Sequence, residues 1–357
     1  MPRRTIVDDV PAPMLSTSAT EIPRGAGWTY EPKWDGFRTI VVSEGASPLA
    51  LWSREGRPLG RYFPELADLS VRPGERFVAD GEILRVHPGK MDFDELQLRL
   101  HPAASRVRKL AAEIPATLIL FDLLRTPDGT LLDEPLAERR RALDALAERL
   151  GLVRAPDELR SFPEGPGLLV APWTRDDALA DRWFADDAGI GQDGVVAKRE
   201  DQPYLPGERG WVKIKHRRTV DCVVGGYRLS KAGDGVGSLL LGLYDPEGAL
   251  HYVGHTSSFR AAERRELLAE LEPLRTDESF AGGRTPGGPS RWSGGRDLEW
   301  VTIAPSRVCE VSVDRLQSGR FRHAATFQRW RPDREPRSCG FEQLDPGADR
   351  AARPGDR

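Results

Sequence analysis

Residues 31–38, Glu31-Pro32-Lys33-Trp34-Asp35-Gly36-Phe37-Arg38, set a lysine beside an Asp-Gly turn at the end of an aromatic and β-branched run. A lysine amine is a nucleophile only when unprotonated, and desolvation or nearby cations can bring its pKa down from about 10.4. Such cations are available. Lys213 and Lys215, in Trp-Val-Lys-Ile-Lys, stand two apart and so share one face of a strand, and Lys198, in Asp-Gly-Val-Val-Ala-Lys, can join them. On this reading Lys33 attacks an electrophile while the other lysines bind a phosphate and lower its pKa. The short pattern by itself fits a surface lysine in a turn equally well.

Carboxylates occur in the same strand-like context. Asp80 and Glu82 share one face of Arg-Phe-Val-Ala-Asp-Gly-Glu-Ile-Leu, and Asp193 closes a Gly-rich turn before Val-Val-Ala-Lys. Carboxylates near phosphate-binding lysines suit Mg²⁺, which takes one or two of them and fills its remaining positions with water and phosphate. Each of them alone also fits an ordinary turn residue. Phe121, in Leu-Ile-Leu-Phe-Asp-Leu-Leu, can stack on a base or pack in a core.

The elements that must position these residues read as follows. Runs at 28–41, 49–54, 76–86, 117–124 and 211–216 have the composition of strands bounded by Gly, Pro and Asp. Leu136, Leu143, Leu146 and Leu150 make one stripe of a helix over 136–150, with Asp133 as a cap, Gly151 as a stop and Arg139–Arg141 as a solvated face. A second helix is expected over 176–188. From about residue 218 hairpin-like strands follow at 220–228, 237–244 and 250–254, then a helix at 258–272, a Gly/Pro/Ser-rich loop at 276–297, and strands at 298–303 and 307–313. Five strands and one helix in about 120 residues suggest a small β-barrel of the oligonucleotide-binding (OB) type. The expected division is 1–217, 218–343 and a disordered tail at 344–357.

With 357 residues, 30% charged and 39% hydrophobic, the chain fits two globular domains and excludes collagen-like and wholly disordered classes. It lacks the apolar core of a secretory signal and any run long enough for a membrane span, and its three cysteines are far apart, so a cytoplasmic location is expected. The net charge of −3 hides two local exceptions: 315–337 and 205–218 are both basic, enough to follow phosphates. Of the 52 basic residues only seven are lysines, and four of those are Lys33, Lys198, Lys213 and Lys215.

Lys-Trp-Asp-Gly-Phe-Arg (33–38), Trp-Ser-Arg (52–54), Ala-Asp-Gly-Glu-Ile-Leu (79–84), Leu-Phe-Asp-Leu-Leu (120–124), Asp-Gly-Val-Val-Ala-Lys (193–198) and Trp-Val-Lys-Ile-Lys (211–215) follow the order and approximate spacing of the nucleotidyltransferase motifs of ATP-dependent DNA ligases. Residues 320–336 resemble the last motif of that family. The compact layout looks most like bacterial LigC-type ligases and the ligase module of LigD-type end-joining proteins. The resemblance implies an α+β fold: an adenylation (nucleotidyltransferase) domain of antiparallel sheets with helices, followed by an OB-fold β-barrel.

It also implies roles. Lys33 would attack the α-phosphorus of ATP and form a lysyl-AMP intermediate, passing AMP to a 5′-phosphate and so allowing the 3′-hydroxyl to close a break. Glu31 would face the adenine amine and Phe121 would stack on the ring. Arg38 and Arg54 would sit near ribose and phosphate, and Glu82 near the ribose hydroxyl or the metal. Asp193 would help hold Mg²⁺ or Mn²⁺, with Lys213 and Lys215 on the α-phosphate. Arg331, Asp333 and Arg334 would close over the pyrophosphate. Two positions depart from the family pattern: Asp193 stands where Glu is usual and Arg334 where Lys is usual. The implied partners are nicked or broken double-stranded DNA and a repair polymerase, nuclease or Ku-type end-binding protein, with the ligase itself monomeric. An RNA ligase or a capping-type guanylyltransferase shares several of these motifs.

Overall fold

In the computed structural model the run at 28–41 is two strands, Trp28–Pro32 and Phe37–Glu44, and they belong to different sheets. The structure describes residues 10–344 apart from 46–47, 70–73, 88–89, 157–160, 164, 186–192, 216–217, 258, 278, 282–285, 287–298, 314–315, 318 and 322. The chain divides into two compact units, Met1–His216 and Arg217–Arg357.

Among the described residues the first unit holds a two-stranded sheet, Val86–His87 with Lys90–Met91, and two large ones. One runs in the order Leu15–Ala19, Arg209–Ile214, Val195–Arg199, Trp28–Pro32, with its first pair parallel and the others antiparallel. The other runs Val153–Arg154, Gly167–Val170, Thr117–Thr126, Arg76–Leu84, Phe37–Glu44, Ala50–Ser53, with Gly129–Thr130 beside Thr117–Thr126. Lys33–Gly36 is the crossing between the sheets. Only glycine fits at its end, because a Cβ on Gly36 would lie 2.1 Å from the Ile83 carbonyl oxygen.

Side-chain alternation assigns the faces of Thr117–Thr126. Leu118 and Leu120 join one core, with Leu143, Leu146 and Phe63, while Ile119 and Phe121 join another with Trp211, Tyr204 and Ile40. The pairing with Arg76–Leu84 skips Phe121, so a bulge re-aims the strand there. Helix Leu136–Leu150 lies against this sheet and buries Leu136, Leu143 and Leu146, each contributing about 1.5–3 kcal/mol. It ends on Gly151 at φ 66°, as the sequence suggests, but its N-terminal flank is Pro135 and Asp133 caps nothing. Proline supplies the fixed φ and carries no amide hydrogen to leave unpaired. The second expected helix is Asp177–Ala185, and residues 186–188 lie outside the described residues.

The second unit is a five-stranded antiparallel sheet in the order Leu250–Thr256, Val236–Tyr244, Arg218–Leu229, Val301–Val313, Thr326–Trp330, with helix Ala261–Leu271 between its third and fourth strands in sequence. This is the OB-fold strand order. The expected count of five is met by different members: 301–313 is one strand, and the fifth is Thr326–Trp330. Pro305 interrupts the apolar pattern without ending the strand, while the polar and basic residues around 326–330 hide the fifth, three of whose five side chains are exposed. The outer strands meet at one parallel bridge, Thr256 to Ala325, where the Ala325 amide donates to the His255 carbonyl at 2.9 Å. The ladder therefore does not run continuously around a barrel. Most of the loop 276–297 and residues 345–357 of the expected tail lie outside the described residues.

Candidate active site

The crossing Lys33–Gly36 brings the nucleophile candidate to a cleft of about 280 Å³ between the two large sheets of the first unit. Two main-chain bonds fix it there: the Lys33 amide donates to the Gly194 carbonyl at 2.9 Å, and the Asp193 amide donates to the Lys33 carbonyl at 3.0 Å. Gly194 has φ +125°, and a Cβ on it would lie 1.9 Å from the Ile214 carbonyl oxygen. A side chain is therefore excluded next to Asp193, and the turn can press against the Arg209–Ile214 strand.

Opposite charges alternate at this end. Asp193 Oδ2 lies 2.7 Å from Lys33 Nζ and 2.9 Å from Lys215 Nζ. Burial favours a neutral Asp193, but the two ammonium groups overcome it and bring its pKa down to about 2. Burial likewise draws the Lys33 amine down, yet the Asp193 carboxylate outweighs it and the pKa is raised. The expected depression of Lys33 by cations is thus overturned in this state. It falls instead on Lys213, whose amine is lowered by burial and then by Lys215, Lys33, Arg54 and Arg209. Lys213, Arg209 and the largely exposed Arg54 line the cleft and offer cationic groups to an anion.

Glu82 stands opposite Arg38 across neighbouring strands, accepts from the Gly36 amide at 3.1 Å and is pushed by burial up to about 7. Asp193 and Glu82 both act electrostatically on Lys33, so these carboxylates suit a hard divalent cation beside the nucleophile.

The other end of the cleft is aromatic. Phe121 and Trp211, from opposite sheets, meet edge to face with centroids 5.9 Å apart. Arg38 lies 5.0 Å and 4.9 Å from their ring centres, and Lys198 4.6 Å and 4.0 Å. Arg38 is held by both oxygens of Asp80, at 2.7 and 2.6 Å, and Asp80 also accepts from the Tyr204 hydroxyl at 2.5 Å. Lys198 does not join the Lys213–Lys215 group. It is 1% exposed and donates to Glu31 at 2.7 Å, while the second oxygen of Glu31 accepts from Arg140.

Arg139 and Arg140 overturn the expectation of a solvated basic run. Arg139 is fully buried with both oxygens of Asp122 at 2.8 Å, Arg140 is 4% exposed, and Arg141 alone faces solvent, paired with Glu138. The signal was present: 139 and 140 fall one helical turn from Leu136 and Leu143, on the apolar stripe. Asp122 and Tyr204 carry no local signal either, because their partners Arg139 and Asp80 lie 17 and 124 residues away in sequence, and Trp173 meets Arg140 only through the fold.

In the second unit, Asp221 accepts from Arg331 Nη1 with both oxygens, at 3.0 and 3.1 Å, and lies 3.4 Å from Arg334 Nε. Asp333 holds the other edge of the Arg331 guanidinium at 2.9 Å. That pairing holds the Asp333 carboxyl down to about 2. Asp333 therefore orients the arginine rather than offering a contact to an anion.

The ATP dependent DNA ligase domain family matches residues 13–215, and the ATP dependent DNA ligase C terminal region matches residues 232–334. The chain is 47% identical to DNA ligase C1 of Mycolicibacterium smegmatis over 344 residues, 93% of each chain. It is 33% identical over 91% of its length to the multifunctional non-homologous end joining DNA repair protein LigD of Mycobacterium tuberculosis, covering 39% of that protein. Among solved structures, a mycobacterial DNA ligase D complexed with ATP and MES superimposes with a TM-score of 0.50 at 30% identity, covering 93% of this chain and 98% of that one.

Proposed function

The chain belongs to the ATP-dependent DNA ligase family, and on that premise we propose that Lys33 is the residue that carries AMP during sealing. The observation that carries this reading is the cleft itself: one lysine, fixed by main-chain bonds, lies where a cationic wall meets an aromatic slot. The deprotonated Nζ of Lys33 forms a bond to the α-phosphorus of ATP, the bond to the β-phosphate oxygen breaks, and pyrophosphate leaves. The nick's 5′-phosphate oxygen then attacks the same phosphorus and releases Lys33. Finally the 3′-hydroxyl attacks the 5′-phosphorus and AMP departs.

Lys213 and Lys215 serve the α-phosphate, Arg38 and Arg54 the ribose and phosphates, Phe121 the base by stacking and Glu31 its amine. Positioning and charge supply most of the catalysis in phosphoryl transfer of this kind. A divalent cation, when bound at Asp193 and Glu82, supplies charge neutralisation at the phosphate. Asp193, drawn to such a cation, would release the Lys33 amine from the ion pair that raises its pKa. Arg331, ordered by Asp221 and Asp333 and accompanied by Arg334, serves the departing pyrophosphate.

The protein acts on nicked DNA. A repair setting with a polymerase, nuclease or Ku-type end-binding partner is supported by the end-joining name of the LigD relatives, and a monomer is the expected form. Among the described residues no helix is long and apolar enough to cross a membrane, and the three cysteines are free thiols, which suits a cytoplasmic setting.

The test mixes the protein with α-labelled ATP and Mg²⁺ or Mn²⁺, then chases with nicked DNA. Label should attach to the wild type, not to Lys33→Ala, and should leave on the chase with sealing of the nick. Labelling of Lys33→Ala would overturn the assignment. Labelling by GTP, or sealing confined to RNA, would move the protein to the capping or RNA-ligase branch.

A further inference from the structure

Helix Leu136–Leu150 sends Arg140 into the protein, where its guanidinium stacks 4.5 Å from the centre of the Trp173 ring and donates to Glu31. Arg140 does not line the cleft, whereas Glu31, Lys198, Phe121 and Trp211 do. Each oxygen of Glu31 thus carries one cationic donor, Arg140 from outside the cleft and Lys198 from its lining, and keeps a second lone-pair direction. Glu31 is only 3% exposed, and a carboxylate at such a depth needs paired, well-placed donors to stay charged.

The two donors are not equivalent. Burial draws the Lys198 ammonium down, so its charge depends on the carboxylate it faces. A guanidinium does not lose its proton in a protein, and the Trp173 ring keeps this one in plane. Arg140 is therefore the fixed charge of the group.

We propose that Arg140 is a positioning residue for nucleotide choice: by anchoring Glu31 as a pure acceptor at the base end of the cleft, it makes the enzyme take a 6-aminopurine and reject a 6-oxopurine. An ionised carboxylate accepts from an exocyclic amine and repels a carbonyl oxygen placed at the same point. Without Arg140 the carboxylate loses the donor on one oxygen and is free to turn toward Lys198, away from the position that an exocyclic amine would meet. The proposal rests on the reading that Glu31 faces the base, given above.

The experiment measures single-turnover adduct formation by the full chain with ATP and with ITP, over a range of nucleotide concentrations. Wild type should prefer ATP. Arg140→Met should raise the half-saturating ATP concentration by about tenfold or more and change that for ITP by less than about threefold, with the rate at saturating ATP within about threefold of wild type. Arg140→Lys should restore part of the preference, because it keeps the single end-on bond to Glu31 but not the stacked, permanently charged guanidinium. If Arg140→Met does not fold by thermal melting, Arg140→Gln replaces it with the same expectation.

An unchanged ATP-to-ITP ratio in the folded variant, or equal loss with both nucleotides without rescue by lysine, would overturn the proposal. Glu31→Gln separates the two readings. If Glu31→Gln loses the preference and Arg140→Met keeps it, the role of Arg140 is wrong and that of Glu31 stands. If Glu31→Gln also keeps it, Glu31 does not read the base and both fall.

Discussion

The ammonium of Lys33 and the carboxylate of Asp193 lie 2.7 Å apart although 160 residues separate them in the chain. The same carboxylate also holds Lys215, so one acidic group restrains two lysines that phosphate chemistry needs.

Replacing Asp193 with Asn should therefore act on the nucleophile and on the metal at once. The Lys33 pKa is raised by Asp193 against the effect of burial, so its loss lets the amine deprotonate at lower pH. The half-maximal pH for single-turnover adenylation should move down by about one unit, while the divalent cation needed for half-maximal rate increases. A pH profile and metal requirement both equal to wild type would exclude this role.

Glu82 gives a stability prediction of opposite sign. Its carboxyl is raised from 4.5 to about 7 in the fold, so between these values the native state binds the extra proton and stability falls as pH rises. Glu82→Gln keeps an acceptor for the Gly36 amide and removes that loss. It should be more stable than wild type by on the order of 1–3 kcal/mol at pH 8 and equal to it near pH 4, by urea denaturation. Its adenylation activity should fall sharply.

Asp221 should matter for one step only. It orients Arg331 and lies near Arg334, the pair assigned to pyrophosphate. Asp221→Asn and Arg331→Ala should each slow adduct formation by about tenfold or more, yet leave sealing of pre-adenylated nicks within about threefold of wild type. The reverse ranking would remove these residues from the first step.

Arg139 and Asp122 form an ion pair in which neither side chain is exposed. Arg139→Met leaves Asp122 charged and buried without its partner, and should cost about 3–5 kcal/mol in chemical denaturation. The double variant Arg139→Met, Asp122→Leu should recover most of that loss, because it removes the orphaned charge. A mild single variant would show that water reaches Asp122.

Much of the site could be read before folding because its motifs are short. Lys33, Arg38, Glu82, Phe121, Lys213 and Arg54 carry local patterns, and the structure places all six on one cleft. What was hidden depended on pairs distant in sequence. Lys198 looked like a phosphate ligand because it shares a strand-like run with Asp193, but Glu31, 167 residues earlier, claims it. The rise in the Lys33 pKa is hidden for the same reason: the lysines stand close by pattern, whereas the Asp193 contact that outweighs burial joins residues 160 apart. In the fold, the Asp-Gly turn was legible, but the entry of its two flanking strands into different sheets was not, since that depends on pairing with Val195–Arg199 and Arg76–Leu84, distant in sequence. Strand Thr326–Trp330 was hidden by exposure, which removes the alternation that marks a half-buried strand.

The parallel pairing of Leu15–Ala19 with Arg209–Ile214 sets a timetable for synthesis. The first strand of the lysine-bearing sheet leaves the ribosome early and waits for a neighbour made almost two hundred residues later. At about 5–20 residues per second this is a delay of tens of seconds. Until residues 193–214 emerge, Lys33 lacks Asp193, Gly194, Lys198 and Lys213, so the nascent chain cannot yet place its nucleophile. Placement of the nucleophile thus arrives in a single late event, when the last strand of the first unit docks beside the first.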